Sequence, residues 1–317
     1  MNPMPPETPA LSVPPEAVDA RDEQVWNDAA ITVPVRAPMA RLWRYRAPAV
    51  VLGRAQRGML AVGQIAPAGG SASGSTIESA SGSVNESAGG SVSGSVSEPT
   101  HTGIEVVDRH AGGGAVLVGP WMLGVSVVLP LTHRAIHGRP VAASYDWFGH
   151  ALATALREHG VAARPAIESD ARKAPAGLEW ACFAGVTVNE VLVDRRKIVG
   201  LAQRRTRHGA LFVAGVLVAP VPWAALGAVM VPAWRSGQRG RSSATVVLPL
   251  AEVAAALERE TVSAAEVAPQ PISTAAIGAS VGAALATVIG TDALQPATTA
   301  PPGMLASTGS GHQYPMR

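Results

Sequence analysis

The chain has 317 residues, of which 47% are hydrophobic, 15% charged and only 4% aromatic, with a formal net charge of +2. A charge so near balance gives little attraction to a phosphate backbone, so we expect no nucleic-acid partner. A single cysteine excludes an intrachain disulfide, and no Cys/His group has the spacing of zinc ligands, so no metal site is predicted.

Changes in composition along the chain predict one domain with three low-complexity segments. Residues 1–22 hold prolines and acids without periodicity and are expected to be disordered. Residues 23–261 are predicted to form one catalytic domain, interrupted at 63–101 by a Gly/Ser-rich insertion that we also expect to be disordered. Residues 262–317, rich in Ala, Thr, Pro and Gly, are predicted to be a low-complexity tail.

Neither a signal peptide nor a membrane span is predicted. The N-terminus lacks a basic region followed by an apolar run. The most apolar segment, 274–289, is shorter than the ~20 residues that a span requires and has no flanking Lys or Arg. We therefore expect a cytoplasmic protein with no membrane partner.

Most predicted elements are strands. Helices are predicted at 144–159, with Ser144 as its N-cap, and at 249–260. The alternation of apolar and basic residues at 42–46 is typical of a half-buried strand. The predicted strands lie, in chain order, at 31–33, 42–46, 49–52, 105–108, 115–118, 123–129, 186–193, 197–200 and 211–218. Because several are joined by tight turns, we expect an α+β fold with a mixed, largely antiparallel sheet and flanking helices.

A glycine-rich loop is the first candidate site. Arg109 precedes Gly112-Gly113-Gly114, which lie between two predicted strands. Such a loop lets backbone N–H groups approach an anion, and the guanidinium could bind a phosphate or carboxylate. The alternative is an ordinary glycine-rich hairpin with a solvated arginine. No Lys-Ser/Thr pair follows, so this is not a Walker loop.

Four further residues could carry chemistry. Lys197 is one of only two lysines, and a compact ammonium fits beside a reacting carbonyl where a guanidinium does not, although a surface hairpin charge is the alternative. Cys182 is either a nucleophile or a small core residue. Asn189 and Glu190 are predicted to face opposite sides of one strand, so one of them needs a buried polar partner or a ligand. The basic run 204–208 is either a solvated loop or an anion clamp.

Taken in order, the stretches 42–56, 108–116 and 189–205 resemble the biotin/lipoate A/B protein ligase family. Within it they are most similar to lipoate–protein ligases and Cys-dependent octanoyltransferases. The resemblance implies the α+β catalytic domain of that family. It assigns Lys197 to the active-site lysine and Cys182, followed by Phe183, to the transferase nucleophile. The acyl- or nucleotide-binding positions that it implies are Arg109, Gly112, Gly113, Gly114, Ala115, Asn189, Glu190 and Gly200.

The resemblance also implies a reaction and its partners. A ligase of this type would attach a lipoyl or octanoyl group to a lysine of a lipoyl-carrier domain through an acyl-adenylate, using ATP with Mg²⁺. A transferase would instead take the acyl group from a carrier-protein thioester through Cys182 and would need no cofactor. The carriers implied are the E2 subunit of a 2-oxoacid dehydrogenase or the glycine-cleavage H protein, and the acyl donors are derived from lipoate or octanoate.

Four positions depart from the family pattern. Asp108 stands where the family usually has Arg, and Leu201 where it has Ser. Val118 and Ala214 occupy positions where the family has His. These losses of polar groups leave a third interpretation open, a catalytically silent relative that binds acyl groups or carrier domains without turnover. The low-complexity tail offers no obvious accessory domain for adenylation, which favours the transferase unless a separate chain supplies that domain. Gly114 and Asn189 favour the ATP-dependent ligase, which is the predicted function, with the transferase as the alternative.

Overall fold

A computed structural model describes residues 17–60, 63–65, 103–237 and 246–290. Within these ranges the helices are α1 (Ala20–Ala30), α2 (Asp146–Arg157), α3 (Trp223–Gly237), α4 (Leu250–Glu260), α5 (Ala264–Val267) and α6 (Thr274–Ile289). The strands are β1 (Met39–Arg44), β2 (Ala49–Leu52), β3 (Gly63–Ile65), β4 (Ile104–Asp108), β5 (Val116–Val118), β6 (Met122–Leu129), β7 (Ala163–Pro165), β8 (Val191–Val193), β9 (Arg196–Arg205) and β10 (Ala210–Leu217).

The strands form two sheets. The larger has the order β1-β6-β10-β9-β8-β7, and all of its pairs are antiparallel. The smaller has the order β3-β4-β2-β5, in which β2 and β4 run parallel and the other pairs are antiparallel. The predicted α+β class with a mixed, largely antiparallel sheet and flanking helices is confirmed.

The larger sheet separates two hydrophobic cores. Along its central strand β6, Leu123, Val125 and Val127 pack beneath α2 and α6, whereas Met122 and Val128 face the core shared with α1, α3, α4 and the smaller sheet. Every residue of β6 is buried. Successive side chains of a strand point to opposite faces, so a strand covered on both faces requires a nearly continuous apolar run. The one hydroxyl in β6, on Ser126, accepts a hydrogen bond from Nε1 of Trp43 at 2.9 Å.

The N-terminal part of the fold differs from its prediction. Residues 20–30, which include part of the expected disordered segment and of the region interpreted as β-rich, form α1, and 31–33 form a turn rather than a strand. The backbone N–H of Asp19 donates to the carboxylate of Asp22 at 3.1 Å and helps to start this helix. Residues buried every three to four positions then face the core, namely Glu23, Trp26, Asn27 and Ala30.

The predicted tail also differs from the structure. Residues 262–290 form α5 and α6, and the apolar stripe Ile277, Val281 and Leu285 of α6 is buried against the core under α2. Ser273 accepts the backbone N–H of Ala276 at 3.1 Å and caps the helix. The Ala/Gly bias concealed this apolar stripe. Residues 291–317 lie outside the described part of the chain.

The predicted insertion is described only at its start. Residues 63–65, expected to be disordered, form β3 and pair with β4, whereas 66–102 lie outside the described residues. Among the helices that the structure describes, none is long and apolar enough to cross a membrane.

Gly149 is a critical contact between α2 and the loop that carries Asn189. A Cβ at Gly149 would overlap the backbone carbonyl oxygen of Asn189. Alanine favours a helix over glycine by about 1 kcal/mol, but a backbone carbonyl cannot move aside as a side chain can.

We therefore expect Gly149→Ala to destabilise the protein by about 2 kcal/mol in urea unfolding. As a matched control, Gly227→Ala in α3 would place its Cβ 3.2 Å from a methyl carbon of Val253, which can shift. This control substitution should lower the free energy of unfolding much less. Equal effects of the two substitutions would contradict the role assigned to Gly149.

Candidate active site

The glycine loop lies where the two sheets meet. Arg109 follows β4, and its backbone N–H donates to the carbonyl of Leu52 at the end of β2 at 2.9 Å. Its side chain turns back, and Nη2 donates to the carbonyl of Gly114 at 2.9 Å. Gly113 has φ +93, a left-handed conformation that favours glycine. The guanidinium thus fixes the conformation of the glycine loop through its hydrogen bond to the Gly114 carbonyl.

Cys182 is fixed beside this loop by backbone pairing. The N–H of Ala115 donates to the carbonyl of Trp180 at 2.7 Å, and the N–H of Cys182 donates to the carbonyl of Ala115 at 3.0 Å. A Cβ placed on Gly113 would lie 2.7 Å from Nη2 of Arg109 and 3.3 Å from Sγ of Cys182. The thiol and the guanidinium therefore face the same side of the glycine loop.

Lys197 lies behind Cys182 in a buried ion pair. Its Nζ donates to the carbonyl of Cys182 at 2.9 Å and lies 2.9 and 2.8 Å from the two carboxylate oxygens of Glu190. Its side chain is only 1% exposed. The Cys182 carbonyl and the Glu190 carboxylate thus hold the ammonium. Lys197 positions the Cys182 segment through these two partners.

Glu190 connects this ion pair to the turn before β8. It also accepts the backbone N–H of Thr187 at 2.7 Å and that of Leu201 at 3.4 Å. Asn189 has φ +73 and lies in a turn. The predicted strand 186–193 is therefore only Val191–Val193, and the prediction that Asn189 and Glu190 lie mid-strand is wrong. The left-handed backbone of Asn189 interrupts the extended conformation that a strand requires.

Two cavities meet at Cys182. The smaller, of about 40 Å³, is a slot whose walls include Arg109, Phe183 and Gly200. The larger, of about 1490 Å³, is an open groove lined by the glycine loop, Asn189, Glu190 and Lys197. Three residues line both cavities, namely Cys182, Leu201 and Ala202.

The structure brings most of the predicted site residues together. The groove contains Gly112, Gly113, Gly114, Cys182, Asn189, Glu190 and Lys197, and the slot contains Arg109 and Gly200. Gly200 packs against the ring of Phe183, which a Cβ there would approach to 3.1 Å. Ala115 is buried beneath the loop and supports it through the backbone.

The departures from the family pattern lie in the same region. Val118 and Ala214, in place of histidines, form part of the slot wall, and Leu201 lies where slot and groove meet. These substitutions make the slot more apolar. Asp108 has a buried carboxylate oxygen, Oδ1, with no hydrogen-bond partner in the described part of the chain.

Sequence reasoning missed the side of the slot formed by α1. Glu23 and Asn27 line it, together with Tyr45 just after β1. Glu23 and Asn27 are four residues apart, as residues on one face of a helix are, but this spacing was overlooked because the region was interpreted as β-rich. At the rim, Asp28 accepts from Arg204 at 2.9 Å and contacts His110 at 2.7 Å. Arg204 lies in β9, so the basic run 204–208 begins in a strand that continues to Arg205.

Burial dominates the electrostatics of this wall. Glu23 is 5% exposed, and its burial raises the pKa of the carboxyl above the usual 4.5, against hydrogen bonds from Tyr45 and Asn27 that lower it. Burial and the adjacent Glu23 hold the pKa of the Tyr45 hydroxyl well above 10.0. Desolvation also raises the pKa of Tyr145, which lines the groove.

The raised pKa of Glu23 predicts a pH-dependent stability. Between pH 4.5 and the folded-state pKa, the folded protein keeps a proton that the unfolded chain has lost. The free energy of unfolding should therefore fall as pH rises through this window. We expect Glu23→Gln to flatten the decrease, measured by urea unfolding between pH 4 and 8. The control is Glu258→Gln at the surface, in which the free energy of unfolding should still fall with pH as in the wild type. If it falls equally in Glu23→Gln, Glu23 is not the group responsible.

The domain combines an α+β fold with an apolar slot, a glycine loop and a buried lysine. The family model described as "Lipoyl protein ligase A/B catalytic domain" matches residues 95–271. The chain belongs to this family. It has no significant match among curated proteins.

Solved structures agree on the fold. A lipoate-protein ligase A bound with ATP matches with 15% identity and a TM-score of 0.51, over 88% of this chain and 85% of that chain. A bi-partite lipoate protein ligase from Thermoplasma acidophilum, studied with its E2 lipoyl domain, matches with 15% identity and a TM-score of 0.52, over 86% and 81%. At this identity the likeness is one of fold.

Proposed function

We propose that the protein transfers a lipoyl or octanoyl-type acyl group to a lysine of a lipoyl-carrier domain. One observation supports this above all: Cys182 lines both the narrow slot and the groove walled by the glycine loop and Lys197. A chain that enters the slot places its carbonyl at this junction. The carrier lysine reaches the same carbonyl from the groove.

The slot binds the acyl chain chiefly by burial. Its apolar walls include Val51, Val116, Met122, Leu211 and Val213, from both sheets. Each methylene transferred from water contributes about 0.8 kcal/mol. At about 40 Å³ the slot has room for only a few methylenes, so a chain of eight carbons requires the slot to widen when it binds. The carrier domains we propose are those of the 2-oxoacid dehydrogenase E2 subunit and the glycine-cleavage H protein.

The position of Cys182 favours the thioester route. In this route the thiolate of Cys182 attacks the carbonyl carbon of an acyl-carrier thioester, the C–S bond of the donor breaks, and the carrier leaves as a thiolate that takes a proton from water. The neutral amine of the target lysine then attacks the new thioester, an amide forms with loss of the amine proton to water, and Cys182 is released as thiolate. The guanidinium of Arg109, on the same side of the glycine loop, stabilises the negative charge that develops.

The acyl-adenylate route is the second candidate, and the size of the groove favours it. Its volume of about 1490 Å³ accommodates a nucleotide, and the loop Gly112 to Gly114 with the groove residues Lys173 and Arg139 would hold the anionic groups. ATP, when bound, would supply the activation of the acyl carboxylate. The described residues contain no cluster of three His, Cys, Asp or Glu side chains for a metal, so Mg²⁺ would be held mainly by the phosphates.

Cys182→Ala separates the two routes. The protein is incubated with an apo carrier domain and either octanoyl-carrier thioester or lipoate with ATP and Mg²⁺, and the carrier mass is measured. We expect product from the thioester, and we expect Cys182→Ala to abolish it because no nucleophile remains. Product only from lipoate and ATP, unaffected by Cys182→Ala, would rule out the thioester route. No product from either donor would indicate the silent relative.

Lys197→Met is expected to lower the turnover number by at least about 100-fold by either route. The substitution removes the ammonium that holds the Cys182 carbonyl and leaves the Glu190 carboxylate buried without its cation. Initial rates of carrier acylation are measured, and thermal unfolding confirms that the variant is folded. The control is Arg36→Met, which removes a cation at an exposed position outside both cavities and should lower the turnover number far less. A Lys197→Met rate within threefold of wild type would refute the role.

A further inference from the structure

The slot has a solvent-facing mouth between α1 and the segment that leads into the glycine loop. At its buried end the slot is lined by Glu23 and Asn27, which are 5% and 3% exposed. Asp28 and His110 line the same slot, but their side chains are 37% and 39% exposed. The lining therefore passes from buried to exposed residues, and Asp28 and His110 frame the exposed end.

The Asp28 carboxylate joins the two sides of this mouth with both of its oxygens. Oδ2 lies 2.7 Å from Nδ1 of His110, and Oδ1 accepts from Nη1 of Arg204 at 2.9 Å. One side chain of α1 thus contacts both the segment before the glycine loop and strand β9. We call these two contacts the Asp28 clasp.

The sheet walls of the slot are held far more firmly than α1. Val51, Met122 and Val213 line the slot from β2, β6 and β10, and each of these strands is hydrogen-bonded to a neighbouring strand on both sides. By contrast, no backbone hydrogen bond joins α1 to another element within the described residues. To widen the slot through a sheet would break a backbone ladder, which makes α1 the wall that can move.

The Asp28 clasp can open at little cost. Its three side chains are all partly exposed, and Arg204 is 30% exposed. Ion pairs at such positions contribute little to stability, because water solvates both charges when they separate. Trp26 lies two residues before Asp28 and so on nearly the opposite side of the helix, where its ring packs edge to face on Trp43 with centroids 5.7 Å apart. This contact anchors α1 on the side away from the clasp.

We propose that the Asp28 clasp is a gate on the slot, which opens when a long acyl chain binds and closes when the slot is empty. An eight-carbon chain needs more room than the slot of about 40 Å³ provides. Release of the clasp lets the Asp28 side of α1 move away from the glycine loop and supplies that room. This inference rests on the proposed function, because it concerns the acyl chain that the same slot takes.

The test measures binding, so that it does not depend on the route of transfer. Calorimetry on the full chain compares two product analogues, Nε-octanoyl-lysine amide, which requires a wider slot, and Nε-butanoyl-lysine amide, whose chain is short. We expect Asp28→Ala to bind the octanoyl analogue at least about threefold more tightly than the wild type does, because the clasp no longer has to be broken. Binding of the butanoyl analogue should stay unchanged.

The matched control is Arg21→Ala. It removes another exposed ion pair of α1, in which Nε of Arg21 lies 3.0 Å from Glu105, and Arg21 does not line the slot. We expect this variant to bind both analogues as the wild type does. Tighter octanoyl binding in Arg21→Ala as well would show that any loosening of α1 has this effect, and it would overturn the role of the clasp.

The remaining outcomes separate this inference from the proposed function. A residue that only maintains the fold would weaken binding when it is replaced, so unchanged or weaker octanoyl binding in folded Asp28→Ala would overturn the inference and leave the proposed function intact. Equal tightening of both analogues would also overturn it. If Asp28→Ala does not fold, His110→Ala removes one contact from the other side and should tighten octanoyl binding in the same direction. If the wild type bound neither analogue, the proposed function would fail and the inference with it.

Discussion

The candidate site depends on the ion pair between Lys197 and Glu190. Two opposite charges are buried together, and the pair persists because each charge meets its partner and backbone groups rather than empty space. Through it, β9, the turn before β8 and the segment of Cys182 are held in one arrangement. Loss of either partner would leave a buried charge, so the geometry around Cys182 and the stability of the fold are coupled.

Around this ion pair the chain builds two cavities of opposite character. The slot is narrow because the two sheets and α1 close on it, and apolar residues at positions 118 and 214 extend its walls. The groove is wide because it lies outside the sheets, where the glycine loop and polar side chains face solvent. Because Cys182 lines both cavities, an acyl chain in the slot and a second substrate in the groove would approach this residue from different sides.

The strands and the site motifs could be predicted because each depends on a pattern within a short stretch of sequence. The alternation in β1 and the apolar run of β6 predict strands by themselves, and Lys197 and the glycine loop stand out by residue type. The helix α1 was missed because a segment of eleven residues is too short for its pattern of apolar and polar residues to distinguish a helix from a strand. For α6, an Ala/Gly composition typical of disorder concealed three apolar residues at helical spacing.

The sequence by itself determined the fold class, the family resemblance and the residues that meet at the site, since these depend on residue types and their order. Only the tertiary structure decided that Lys197 is buried against Glu190 and the Cys182 carbonyl, and that α1 adds Glu23 and Asn27 to the slot. These contacts join residues far apart in the chain. Their distances and burial follow from how the sheets and helices pack, which no local pattern encodes.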